Sequence, residues 1–96
     1  MSLHRRNPRR DQTEASIVRA LRRLGALVFP VSAPAFPDLV VGFQGVWCLM
    51  ECKTRGENLS ARQAILHRLA QSRGLPIHTV RTVADALEAL GVKYDA

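Results

Sequence analysis

The stretch Phe36-Pro-Asp-Leu-Val-Val-Gly-Phe-Gln-Gly-Val-Trp-Cys-Leu-Met-Glu-Cys-Lys53 (FPDLVVGFQGVWCLMECK) is the most apolar part of the chain, yet it carries Asp38, Glu51 and Lys53. Its two apolar runs flank Gln44-Gly45 and read as a hairpin, with strands over 38–43 and 46–53. A two-residue loop pairs Phe43 with Val46. Counting back along both strands then sets Asp38 opposite Glu51, on one face, with Cβ atoms roughly 5 Å apart. A three-residue loop would set Asp38 opposite Met50 instead. Side chains alternate faces, so Glu51 and Lys53 share a face and Cys52 points away. Trp47 and Leu49 lie on the Glu51 face, which is therefore expected to be covered.

Two facing carboxylates at that distance repel by roughly 3 kcal/mol at an effective dielectric near 20. A shared proton or Lys53 relieves this, and a divalent cation does so best. Hard cations such as Mg²⁺ take oxygen ligands and often need only one or two carboxylates. The Cys52 carbonyl, between the two charged residues, can add an oxygen. Lys53 cannot ligate the ion, but its ammonium can stabilise negative charge developing on a nearby group. Two acids and a lysine around one cation suit phosphodiester hydrolysis. The plain alternative is that Asp38 merely opens a strand and that Glu51 and Lys53 form a surface pair.

Outward from the hairpin, the pattern gives a helix over 11–24, a short strand over 26–31, a polar loop over 54–59, a helix over 61–73, a strand over 77–81 and a helix from 83 to 90. Asp11 and Glu14 form a D-x-x-E start, and Ser60 and Gln63 an S-x-x-Q capping box. Glu14 also falls on the apolar stripe of Ile17, Leu21 and Leu24, so it either caps the helix or enters the site. Gln63 is open to the same two readings. The order αβββαβα defines an α/β fold with a mixed four-stranded sheet flanked by helices. Residues 1–10 read as a flexible basic arm and 11–96 as a single domain.

The chain has 96 residues, with 14 Lys and Arg against 8 Asp and Glu. Seven of the fourteen (Arg5, Arg6, Arg9, Arg10, Arg19, Arg22, Arg23) precede residue 25, which points to a polyanionic partner. Arg5, Arg6, Arg9, Arg10 and Arg55 are candidate phosphate contacts. No apolar run reaches the roughly 18 residues of a membrane-spanning helix, and a cytoplasmic protein without a membrane partner is expected. Cys48 and Cys52, the only cysteines, are expected to be free core thiols. They share a face and could recruit His67 or His78 for zinc, but two cysteines on one strand are not a zinc pattern.

Pro37-Asp38, with Asp38 thirteen positions before Glu51-Cys52-Lys53, resembles the signature of the PD-(D/E)XK nucleases. The position of Glu14, the Pro-Asp-Leu-Val strand, the Glu-Cys-Lys-Thr end and the segment Leu59-Ser60-Ala61-Arg62-Gln63 look most like its VRR-NUC group, across about residues 11–90. The resemblance implies a restriction-endonuclease-like core and a metal-dependent DNA endonuclease. Asp38, Glu51 and the Cys52 carbonyl would bind Mg²⁺ or Mn²⁺, with Glu14 as the helical acid. Lys53 would be the catalytic lysine, and Gln63 a polar residue of the site. It also implies a homodimer acting on branched DNA such as four-way junctions, forks or flaps, in the manner of Holliday-junction resolvases. Two other classes compete: a non-catalytic nucleic-acid-binding domain of the same shape, and a small protein-interaction partner.

Overall fold

A computed structural model of the chain describes residues 8–93. Three helices and four strands follow one another as α1 (Pro8–Arg23), β1 (Leu27–Pro30), β2 (Leu39–Phe43), β3 (Val46–Cys52), α2 (Ala61–Ser72), β4 (Ile77–Val80) and α3 (Val83–Ala89). This is the expected αβββαβα order. The strands form one sheet in the order β1-β2-β3-β4. The first three are antiparallel, and β4 adds parallel to β3 after the α2 crossover.

The central hairpin takes the two-residue turn. Phe43 pairs with Val46 and Leu39 with Met50. Gln44 and Gly45 both have positive φ, 50° and 81°, the conformation whose twist matches that of the flanking strands. Period two then sorts the residues. Leu39, Val41, Met50 and Cys52 face α1 and α3, and form the core with Ile17, Leu21, Val28, Val80, Ala86 and Leu87. Cys48 and Cys52 are free thiols, and Cys52 is fully buried.

Helix α1 starts at Pro8, three residues earlier than the pattern of acidic residues suggests. Proline suits a first helical turn, where its missing N–H would find no partner anyway. Asp11 therefore lies inside the helix and does not cap it. Arg9 and Arg10 belong to the helix instead of to an arm, whereas Arg5 and Arg6 lie outside the described residues. The other helix starts match expectation. Ser60 Oγ accepts from Gln63 N and the Gln63 side chain returns to the Ser60 N–H. Thr82 Oγ1 accepts from Asp85 N at 3.0 Å.

A further expectation fails. The second face of the sheet is not covered at Trp47, which is 60% exposed together with Leu27 and Phe29. Helix α2 packs on β4, at the far edge of the sheet, and buries none of its own residues. The Phe29 and Trp47 rings meet at 6.2 Å, and the Trp47 ring lies against Gly42, where a Cβ would come within 2.8 Å of it. Glu51 and Lys53, on the same strand face, are nevertheless 0% and 3% exposed. Their cover comes from elsewhere.

Candidate active site

The strand register delivers the acidic pair. Continuing the Leu39–Met50 pairing by one step sets Asp38 opposite Glu51. Asp38 precedes β2, so its side chain is not bound to the pleat. Its Oδ2 accepts from the Cys52 N–H at 2.8 Å, across the end of the hairpin. Its Oδ1 meets Arg10 Nη2 at 3.2 Å.

Arg10 spans the site. The same Nη2 lies 3.7 Å from Glu51 Oε2, and Nη1 lies 3.9 Å from Glu57 Oε2. From the sequence this arginine reads as part of a flexible basic arm. The early start of α1 instead places it one helical turn before Glu14, on the face that looks at the hairpin end. The surrounding Asp38, Glu57, Glu51 and Glu14 outweigh the effect of burial and raise its already high pKa.

Lys53 sits beside the pair. Its Nζ donates to Gln63 Oε1 at 2.9 Å, and lies 3.9 Å from Glu51 Oε2 and 3.7 Å from Glu57 Oε2. Gln63 fills both roles open to it. Its Oε1 accepts from the Ser60 N–H at 2.8 Å as a capping residue, and its Nε2 donates to Glu51 Oε2 at 3.3 Å. One side chain thus ties the start of α2 to both charged residues of β3.

Glu57 was missed by the sequence reading, where it falls in a polar loop. The loop folds back at Gly56, whose φ is 82°. Glu57 Oε1 accepts from the Thr54 N–H at 2.9 Å. Arg81 Nη1 then pins the turn by donating to the carbonyls of Thr54 and Glu57, at 2.6 and 2.7 Å. No local spacing announces this, because the arginine that holds the loop lies on the far side of α2.

Four carboxyl groups (Glu14, Asp38, Glu51, Glu57) thus meet two basic side chains, Arg10 and Lys53. The imbalance shows in their acidities. Burial, then a hydrogen bond with Asp38 and its charge, push Glu51 up to about 8, against the pull of Lys53 and Arg10. Burial and Asp38 also raise Glu14. Burial pushes Glu57 upward too, but the Thr54 N–H bond and the charges of Lys53 and Arg10 outweigh it and leave that carboxyl below its usual range.

The site residues fit a hard divalent cation. Glu14 and Asp38 each offer a carboxylate oxygen, and these two and the Cys52 thiol sulfur all lie within 4.8 Å of one another. Burial, followed by the charges of Asp38, Glu14 and Glu51, drives the Cys52 thiol far upward, so it stays protonated. The available donors are then oxygens, the preference of Mg²⁺ and Mn²⁺ and not of a thiolate-seeking metal. Glu51 Oε1 is buried with no hydrogen-bond partner, and so has an unused lone pair. The Cys52 side chain falls nearer Asp38 than strand alternation alone implies, because Asp38 reaches round the strand end to the Cys52 N–H.

No family model matches the sequence, and no curated protein is similar to it. Among solved structures, one described as a "VRR_NUC domain" superimposes with a TM-score of 0.76, over 92% of this chain and all of that one, at 20% sequence identity. The class is thus an α/β domain with a mixed four-stranded sheet and an acid–acid–lysine cluster at the end of its central hairpin. Its fold is that of the VRR_NUC domain, as the resemblance in the sequence implied.

Proposed function

We propose that this chain is a Mg²⁺- or Mn²⁺-dependent DNA endonuclease that hydrolyses phosphodiester bonds in branched or structured DNA. The observation that carries the reading is the meeting of Asp38, Glu51 and the buried Lys53 at one strand end, under an excess of carboxyl groups. Asp38 and Glu51, with Glu14 and the Cys52 carbonyl, are the residues that would hold the cation. When bound, such an ion lowers the pKa of a coordinated water and offsets phosphate charge. The chain's own contribution is to place Lys53. Gln63 holds the ammonium by one of its three N–H donors, leaving the others for an anionic oxygen. Burial strengthens that interaction relative to water.

The test is direct. Incubation with four-way, fork, flap and linear DNA should give cutting with Mg²⁺ or Mn²⁺ and none with a chelator, and the branched substrates should be cut faster. One observation favours the non-catalytic reading: Arg10 already brings a positive charge to the carboxylates. Salt-dependent DNA binding without cutting under any divalent metal would establish that reading instead.

Arg9 and Arg55 support DNA as the partner. They line, with Arg81, a groove of about 400 Å³ that starts at Thr54, next to Lys53, and has no carboxylate among its lining residues. We assign this groove to the phosphate backbone, with Arg5 and Arg6 as further contacts. The double substitution of Arg9→Ala with Arg55→Ala should reduce the slope of log binding constant against log salt by about 2, without changing sequence preference. An unchanged slope removes the groove from the interface.

The uncovered strip of Leu27, Phe29 and Trp47 suits a homodimer, which would supply the second active site needed to cut both strands of a junction together. Trp47→Lys should convert the dimer to monomers in sedimentation velocity while leaving the far-ultraviolet circular dichroism unchanged. A dimer that persists places the interface elsewhere. No helix among the described residues is long and apolar enough to cross a membrane.

A further inference from the structure

Two side-chain atoms among the described residues are buried without a hydrogen-bond partner, and they face each other. They are Glu51 Oε1 and His67 Nε2, 3.9 Å apart. Leaving a buried polar atom unpaired is costly, so a pair of such atoms pointed at one another is not a neutral arrangement. His67 lies on α2 one helical turn after Gln63, and both residues turn towards the same carboxylate: Gln63 Nε2 towards Oε2, His67 Nε2 towards Oε1. A neutral imidazole carrying its proton on Nε2 is a donor to that oxygen. The remaining gap is about 1 Å beyond an ordinary N–H···O bond. Helix α2 can close it cheaply, because it buries none of its residues and packs mainly on the edge strand β4.

We propose that His67 is a positioning residue of the site: its Nε2–H donates to Glu51 Oε1 and fixes the carboxylate so that Oε2 is presented to Asp38, Arg10 and Lys53. Outer partners of this kind orient ligating carboxylates and are worth roughly 10–100-fold in metal affinity. The consequence for metal rests on the nuclease reading, whereas the hydrogen bond itself does not. The two are tested separately.

In protein labelled with ¹⁵N-histidine and kept with a chelator, the His67 Nε2 resonance should shift on Glu51→Gln while that of His78 stays in place. An unmoved His67 resonance overturns the proposal. Mn²⁺ binding, followed by electron paramagnetic resonance of the free ion, should weaken roughly 10–100-fold in His67→Leu and recover in His67→Gln, whose amide reaches the position of Nε2. Equal Mn²⁺ affinity in wild type and His67→Leu overturns it, as does equal weakness in both variants. Should His67→Leu fail to fold, His67→Asn, too short to reach, takes its place. A wild-type chain that cuts no DNA but shows the coupled resonances supports the hydrogen bond and refutes the nuclease reading alone.

Discussion

Lys53→Met should lower metal-dependent DNA cleavage by about 10²–10³-fold, the loss that follows removal of one well-placed donor from a buried site. The fold should survive. Methionine keeps most of the lysine stem, and the groups that Nζ touches have other partners. Gln63 Oε1 keeps the Ser60 N–H, and Glu57 keeps Thr54 and Arg10. DNA binding, assigned to arginines outside this cluster, should hardly change. Removing one partner of a buried ion pair ordinarily destabilises by leaving the other charge uncompensated, but Glu51 can take up a proton instead, so thermal melting should fall little at pH 5 and more towards pH 8. Lys53→Arg should not rescue the activity, because the space around a side chain 3% exposed does not admit the larger planar guanidinium. Cleavage by Lys53→Met at the wild-type rate would remove the lysine from the mechanism.

Glu51→Gln should abolish cleavage and at the same time make the protein more stable at alkaline pH. In the folded chain the Glu51 carboxyl is held at about 8, against an ordinary value of 4.5, chiefly by burial and by its neighbour Asp38. Between those values the folded state binds the proton and the unfolded state does not. The stability this contributes is fully present below 4.5 and is lost as pH rises through about 8. With a chelator present, the wild-type melting temperature should therefore fall between pH 5 and pH 8. Glu14, raised for the same reasons, adds to this trend, whereas Glu57, shifted downward, affects stability only below its ordinary value of 4.5 and leaves this window unchanged. Glutamine carries no charge at any pH, so the variant should lose Glu51's share of the fall. At pH 8 it should melt at least about 5 °C above wild type, the shift that about 1 kcal/mol gives a domain of this size. Mn²⁺ should raise the wild-type melting temperature at pH 8 with release of a proton, measurable by calorimetry in two buffers, and should do little for the variant. Parallel pH profiles for the two proteins would show that Glu51 titrates normally and that the crowding of charge is relieved in another way.

The acidic pair was legible because everything that sets it is local. Alternation along 39–43 and 46–52 and a two-residue turn fix which residues oppose one another, and Asp38 and Glu51 follow by counting. The capping box at Ser60 and Gln63 was legible for the same reason. Gln63's second role was half visible, since a cap at the start of α2 already lies near the end of β3. What stayed hidden involves groups joined only through packing. Arg10 looked like part of a basic tail until the start of α1 put it over the carboxylates. Glu57 needs Arg81 to hold its loop, and His67 needs the angle at which α2 crosses the sheet. Trp47 has the same alternation as a covered residue, yet lies exposed because α2 sits over β4 and leaves that part of the face open.

By itself, then, the sequence determined the order of the elements, the hairpin register and the coincidence of two acids and a lysine at one strand end. Those features depend on backbone geometry between near neighbours, where periodicity and turn chemistry leave little choice. The tertiary structure alone decided which charges surround the pair, that Glu51 is wholly buried and reluctant to ionise, and which face of the sheet meets water. Burial and charge compensation are sums over groups brought together from distant parts of the chain, and no local pattern carries that sum.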